Sequence, residues 1–136
     1  MKKIILSGFI AVVAITILFI LFSKKESDYS LHLVVGSWTD QGADSDQEFD
    51  FENIRLNETY VIPLEEDSFY LREFKVVRIK DNSITITTSL PLSENRDGVY
   101  LDTKSKFIIK YDIPLILRTF TMDAGEGYTF SLHEKE

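Results

Sequence analysis

The sequence has no cysteine, only two histidines and a single tryptophan among its 136 residues. The absence of cysteine excludes a disulfide framework, a thiolate zinc site, a cysteine nucleophile and a lipidated cysteine. The short motifs of serine hydrolases, zinc proteases, phosphate-binding loops and dinucleotide-binding folds are absent too. With no catalytic constellation in the chain, we expect a protein that is not an enzyme and that carries no cofactor.

Basic residues are scarce: 15 lysines and arginines face 22 acids, which gives a net charge of −7. The acidity is local, because residues 40–67 contain ten acids and one base whereas residues 68–136 contain ten of each. An acidic segment repels phosphates, and no basic stripe in the sequence offsets it. We therefore expect no nucleic-acid partner.

One long hydrophobic run stands at the start of the chain. Ile4–Phe22 is uncharged and lies between Lys2-Lys3 and Lys24-Lys25. As a helix it would be about 28 Å long, close to the ~30 Å thickness of a bilayer core. Its end is too bulky for a signal peptidase, although cleavage and secretion are the alternative. The sequence predicts a transmembrane signal anchor at residues 4–22, after a cytoplasmic N-terminus at residues 1–3.

The lysine count does not decide the orientation of this span in the membrane, because two lysines stand on each side of the run. The N-terminal amine and the readily translocated acidic chain favour a cytoplasmic N-terminus. We predict a linker at residues 23–29 and a domain at residues 30–136 outside the cytoplasm, held at the cell membrane by a single span.

The exported part has the pattern of a β-protein. Its apolar residues fall in short blocks rich in β-branched and aromatic side chains, separated by Gly, Pro, Asn and Asp. The blocks are Leu31–Val35, Phe49–Ile54, Tyr60–Leu64, Phe69–Lys80, Ser83–Ser89, Lys106–Tyr111, Leu115–Met122 and Tyr128–His133, with Val99–Leu101 as a weaker ninth. This spacing predicts an all-β fold, a small antiparallel β-sandwich or barrel of about seven to nine strands.

Local signals predict how neighbouring strands connect. Turns are expected at Asp81-Asn82, at Asp112–Pro114 and at Asp123–Gly127, each closing an antiparallel hairpin. The apolar residues change parity between Leu71 and Phe74, which predicts a β-bulge near Arg72-Glu73.

The acidic segment is the candidate binding site. On a strand, the alternation after residue 46 places Phe49 and Phe51 on one face and the acids on the other. Acidic surfaces steer basic partners and select among them. We predict a binding module of the accessory, inhibitor or immunity type, whose acids meet a basic protein. The candidate residues are Asp44, Asp46, Glu48, Asp50, Glu65, Glu66 and Asp67.

Calcium binding is an alternative use of the same acids. Asp44, Asp46 and Glu48 match positions 1, 3 and 5 of a calcium loop. The pattern then fails, because Phe49 stands where the loop needs glycine and Arg55 where it needs glutamate. A solvated acidic face is the favoured interpretation, and no metal is predicted.

The two histidines give a further alternative, a metal-dependent enzyme. His32 lies in the first strand block and His133 in the last. If those strands pair, the two rings could approach each other and, with a carboxylate, ligate zinc. Incidental placement is favoured over this alternative.

Gly36-Ser37-Trp38, directly after the first strand block, resembles the entry to calycin-type barrels such as lipocalins and avidins. The resemblance implies a tryptophan packed at the base of a barrel under an arginine from a late strand, a position that Arg118 matches. It would make the protein a carrier of a small ligand with Trp38 and Arg118 at its pocket. The other interpretation is a core tryptophan capped by a cation.

Overall fold

The computed structural model describes residues 28–39, 42–43, 46–64, 71–119 and 124–135, with the backbone alone at residues 38–39, 42–43 and 124. The predicted anchor Ile4–Phe22, residues 1–3 and residues 23–27 of the predicted linker lie outside these residues, whereas Tyr29 of that linker opens β1. Within the described ranges, no helix is long and apolar enough to cross a membrane.

The described part of the chain is all-β and antiparallel, as the sequence predicts. It contains ten strands, two of them only two residues long. They are β1 (Tyr29–Thr39), β2 (Gly42–Ala43), β3 (Gln47–Phe51), β4 (Thr59–Val61), β5 (Glu73–Lys80), β6 (Ser83–Arg96), β7 (Val99–Tyr100), β8 (Lys104–Lys110), β9 (Leu115–Arg118) and β10 (Ala124–Glu134).

The strands form one curled sheet with the shape of a half-barrel. Its main path runs β2-β1-β10-β9-β6-β5-β4, with β3 also paired to β1 and with β7 and β8 paired to β6. β1 and β10, the first and last strands described, pair over eleven residues from Tyr29↔Glu134 to Thr39↔Ala124. This long ladder joins the two ends of the domain.

The long strand β6 divides the sheet into two layers. Its first half pairs with β5 and β8, and its second half pairs with β9 and β7. Between the halves the β8 register jumps from Thr87↔Lys106 to Leu92↔Lys104, so β6 holds extra residues there that do not pair with β8. Pro91 lies in this interruption and has no N–H to donate, so the break costs no ladder bond at that residue.

Each layer supplies half of the core. The first layer comprises β1, β2, β3, β9, β10, β7 and the second half of β6, and the second layer comprises β4, β5, β8 and the first half of β6. Side chains from both layers meet in one buried apolar cluster, in which the Phe74 and Phe130 rings lie 5.4 Å apart in an edge-to-face contact. The sheet curls around this cluster, so the outer face of each layer points away from the core.

Two predicted hairpins are confirmed. β5 and β6 turn at Asp81-Asn82 with Lys80 paired to Ser83, and β9 pairs antiparallel with β10. The predicted hairpin through Asp112–Pro114 is wrong as a strand pair, because β8 pairs with β6 whereas β9 pairs with β6 and β10. A single bridge, Lys110↔Ile113, remains at that turn in the described chain.

Two local predictions shift along the sequence. The register break in β5 falls between Val76↔Ile86 and Arg78↔Thr85, so Val77 is the extra residue rather than Arg72 or Glu73. Residues 124–127, expected in a turn, already belong to β10, where they pair with the end of β1. Pairing with β1 extends β10 through this stretch, although its glycines disfavour a strand when the sequence alone is considered.

Candidate functional site

The exposed acids of β3 form the candidate site. Glu48 and Asp50 point outward from this strand, and the exposed residues Asp46 and Glu52 stand directly before and after it. We call these four side chains the acidic strand. The period-2 alternation of a strand places all of them on the side away from the core.

The opposite side of β3 holds the acidic strand in place. Phe49 and Phe51 pack against the buried cluster, and the ring of Phe51 lies 5.2 Å from that of Phe74. β3 pairs with Leu31–Val35 of β1 and with no other strand of the described chain. It is therefore an edge strand that is rigid on its inner side and open on its outer side.

One of the four acids has a partner. The Nδ1 atom of His32 lies 2.6 Å from Oδ1 of Asp50, and the two residues are directly opposite each other on β1 and β3. The Asp50 side chain remains 70% exposed, against 27% for His32. The histidine therefore orients this carboxylate without covering it.

The second histidine lies on the same outer face. His133 is opposite Ser30 and His32 is opposite Ser131, so the two rings are diagonal neighbours on β1 and β10. The strand pairing needed for their approach is therefore present. Nevertheless, no three His, Asp or Glu side chains come together as a metal site in the ranges that the structure covers.

A glycine makes room for another of the acids. A Cβ atom added at Gly36 would overlap Oδ1 of Asp46, so this carboxylate lies directly over the β1 backbone. The residue opposite Gly36 on β10 is Gly127, where a Cβ would meet nothing closer than the Leu117 carbonyl oxygen at 3.9 Å. Of these two opposed glycines, only Gly36 would carry a side chain that displaces a neighbouring group, the Asp46 carboxylate.

The remaining predicted binding residues are not all described. Asp44, Glu65, Glu66 and Asp67 lie outside the described residues, so their position relative to β3 stays a prediction. Asp46, Glu48 and Asp50 are brought into one row on β3, as the alternation predicts.

Of the two residues in the calycin resemblance, Trp38 lies in β1 and its side chain is not described. Arg118 ends β9 and its guanidinium carbon lies 3.2 Å from the centroid of the Tyr100 ring. Arg118 and Tyr100 line an open groove of about 360 Å³ together with Ser93 and residues 101–103. The arginine is thus a cap on a tyrosine in the described chain.

β10 carries a buried polar pair, Glu126 and Tyr128, that sequence patterning did not single out. Glu126 is 6% exposed and Tyr128 is fully buried, and the tyrosine hydroxyl donates a hydrogen bond to the Glu126 carboxylate. The same hydroxyl accepts a hydrogen bond from the backbone N–H of Leu71 at 3.2 Å. Residues two apart on a strand share a face, which is the one signal that could have paired them.

The surroundings of Tyr128 shift its titration. Burial, and then the hydrogen bond to Glu126, raise the pKa of this phenol far above its usual range. The backbone of Glu126 is also fixed, because it exchanges hydrogen bonds with Thr119: the Glu126 N–H donates to Thr119 Oγ1, and the Thr119 N–H donates to the Glu126 carbonyl, both at 3.0 Å. The pair is a satisfied element of the core and presents no reactive group to solvent.

A third polar group lies where the second half of β6 meets β8. The carboxylate of Glu94 accepts a hydrogen bond from Lys104 at 2.8 Å and lies 3.3 Å from Arg96. Partial burial raises the pKa of Glu94. Lys104 and Arg96 lower it by more than burial raises it, so the pKa of Glu94 is below its usual value.

Comparison with known proteins adds no identification. No protein-family model, curated protein or solved structure matches this chain.

Proposed function

We propose that this chain is a membrane-anchored, non-catalytic binding protein of the cell envelope, and that the acidic strand binds a basic protein. The anchor is the Ile4–Phe22 run, which would hold the β-domain outside the cytoplasm. The observation that carries the binding role is the row of exposed carboxylates on an edge strand with a rigid apolar back.

Two properties of the row support binding over simple solvation. The acids are held at fixed positions, because the alternate residues Phe49 and Phe51 are packed in the core. A partner would therefore meet a preformed charge pattern, and binding would cost little conformational entropy in β3. The edge of β3 also offers backbone hydrogen-bond groups to a partner strand, which is a common mode of peptide capture.

Affinity-purified full-length protein in detergent tests the binding role. Proteins captured from the cell envelope at low salt are quantified for the wild type and for the Glu48→Gln/Asp50→Asn variant. We expect a basic protein to be depleted at least tenfold by the double substitution, and salt to have the same effect.

A matched control removes the same charge elsewhere. Asp97→Asn/Asp102→Asn changes two exposed acids that lie away from β3, and we expect it to leave the capture unchanged. An identical set of captured proteins from the β3 variant and the control would refute the role of the acidic strand.

The location is tested separately. We expect the full chain to resist alkaline extraction from membranes, and an epitope placed after Glu136 to be cleaved by external protease in spheroplasts. Extraction at alkaline pH would refute the anchor, and a protected epitope would refute the orientation.

The calycin-like carrier is a second candidate, supported by the groove that Arg118 lines. It predicts that apolar ligands quench the fluorescence of the single tryptophan, Trp38. Fluorescence that does not change across a panel of fatty acids and aromatic compounds would exclude it.

A further inference from the structure

The outer face of the second layer carries a cluster of bases that the sequence balance conceals. Three rungs cross β5, β6 and β8 on this face, and in each rung a hydroxyl residue of β6 is the middle member. The rungs are Lys75–Thr87–Lys106, Arg78–Thr85–Ile108 and Lys80–Ser83–Lys110. We call the five bases in these rungs the basic face.

The bulge in β5 creates this arrangement. Side chains alternate between the two faces of a regular strand. Lys75 points outward at an odd-numbered position, so Arg78 and Lys80 at even-numbered positions would point toward the core. The extra residue Val77 reverses the alternation, and Ile79 then takes the inward position opposite Ile84. One bulge therefore brings three bases of β5 to the same side.

The bases of the basic face form no ion pair or hydrogen bond within the part of the chain that the structure describes. Other bases do form ion pairs: Lys104, for example, binds the Glu94 carboxylate. Neighbouring strands are about 4.8 Å apart, so lysines in one rung lie roughly 10 Å from each other across β6. Unpaired like charges at this spacing repel one another and favour an anionic partner.

Exposed aliphatic side chains border the bases. Ile108 is 56% exposed and Ile113 59%, and together with Ile116 they line an open groove of about 1000 Å³. The charged residues of this groove are mostly bases, with two acids among them: Arg78, Arg96, Lys104, Lys106, Lys110, Glu94 and Asp97. Bases next to exposed aliphatic residues are typical of surfaces that bind an anionic bilayer, because headgroup phosphates take the charges and the acyl boundary takes the apolar groups.

The face lacks the features of a nucleic-acid site. The three rungs contain no aromatic side chain on which a base could stack. The predicted anchor, in contrast, ends at Phe22, and residues 23–28 can extend at most about 20 Å before β1 begins. The domain is therefore held near a bilayer, and for this location the inference rests on the proposed anchor.

We propose that the basic face docks on the anionic lipid surface of the membrane that anchors the chain. Docking there would orient the domain. The acidic strand belongs to the first layer, so docking through β5, β6 and β8 would leave its carboxylates accessible to their partner.

The test uses the full chain reconstituted in vesicles. Because the sequence has no cysteine, one fluorophore can be attached at Thr59→Cys, beside Lys75 on the second layer, or at Ser131→Cys on the outer face of the first layer. The vesicles consist of phosphatidylcholine alone or with added phosphatidylglycerol, and both carry a nitroxide quencher on the lipid headgroup.

We expect strong quenching at position 59 and weak quenching at position 131, in the vesicles with phosphatidylglycerol only. The Lys106→Gln/Lys110→Gln variant should lower the docking equilibrium constant roughly fivefold per lysine, about 25-fold together. The control Arg55→Gln/Lys135→Gln removes two exposed bases outside the basic face and should dock like the wild type.

Equal quenching at the two positions, or equal docking by the two variants, would overturn the proposal. Self-association in sedimentation experiments that only the β8 variant abolishes would instead assign the face to a second copy, and tighter binding to a DNA oligonucleotide than to anionic vesicles would assign it to nucleic acid. Failure of the anchor proposal has a separate readout: the chain would not float with neutral vesicles. In that case, flotation with anionic vesicles still tests whether the basic face binds lipid.

Discussion

Tyr128 donates its hydroxyl hydrogen to the carboxylate of Glu126 in the interior of the domain, two residues away on β10. The same hydroxyl accepts the backbone N–H of Leu71, which leads into β5 of the other layer. One buried oxygen therefore connects the two layers, and most of our stability predictions begin with it.

Replacing this hydroxyl should destabilise the fold. Tyr128→Phe leaves the Leu71 N–H without its acceptor and the Glu126 carboxylate without this donor, so we expect the free energy of unfolding to fall by about 1–3 kcal/mol. Urea denaturation of the full chain in detergent measures it. Tyr111→Phe is the matched control, because the ring of Tyr111 is only half-buried against Tyr29, and it should change stability by less than about 0.5 kcal/mol.

Alkaline pH should weaken the fold through the same phenol. The unfolded chain loses the Tyr128 proton near pH 10, its usual pKa, whereas the raised pKa of the folded state retains it. Above about pH 10 the unfolded state binds fewer protons, so stability falls as pH rises, by up to about 1.4 kcal/mol per pH unit from this group, and below about pH 9 the group contributes no slope. Unfolding midpoints between pH 8 and 11 should fall less steeply in Tyr128→Phe, and equal slopes would contradict the assignment.

The ion pair between Glu94 and Lys104 should be visible in a titration. Lys104→Gln removes the hydrogen-bond donor and the nearest positive charge, so the pKa of Glu94 should rise. Carboxyl chemical shifts in NMR follow it. Lys106→Gln, two residues along β8, removes a lysine that has no acid partner among the described residues and should leave the Glu94 titration nearly unchanged. An equal rise in both variants would mean that general electrostatics, not the pair, sets this pKa.

Gly36 should be coupled to Asp46. Gly36→Ala forces the exposed Asp46 carboxylate to rotate away, so we expect a loss of at most about 1 kcal/mol in the free energy of unfolding. Combining it with Asp46→Ala should recover most of this loss, and a double-mutant cycle measures the coupling. Gly127→Ala, directly opposite on β10, has space for its methyl group and should be close to neutral; additive effects of the first two substitutions would show that they do not touch.

Local sequence signals predicted much of the fold. Alternating β-branched and aromatic blocks indicated the strands, and Asp81-Asn82 indicated a turn that the structure contains. The errors lie where long-range pairing decides: Lys104–Lys110 and Leu115–Arg118 are consecutive strands, yet each pairs with a different part of β6 and neither pairs with the other. A turn sequence indicates that the chain can reverse but does not determine which strand it then pairs with.

The candidate site was predictable to a similar extent. The alternation around Phe49 and Phe51 predicts a row of acids, because it needs only the period of a strand. The contact of His32 with Asp50 depends on the register between β1 and β3, and the contact of Tyr128 with Leu71 depends on the packing of two layers. Neither follows from residues that are close in sequence.

The sequence by itself determined that the part after the hydrophobic run is all-β, that its acids are concentrated in residues 40–67 and that residues 68–136 have no net charge. Only the tertiary structure decided where those balanced charges lie. The bulge at Val77 and the pairing of β5, β6 and β8 place five bases on the outer face of the second layer, while the acids of β3 belong to the first layer. A sum of charges along the chain carries no direction, whereas the register of a sheet assigns each side chain to a face.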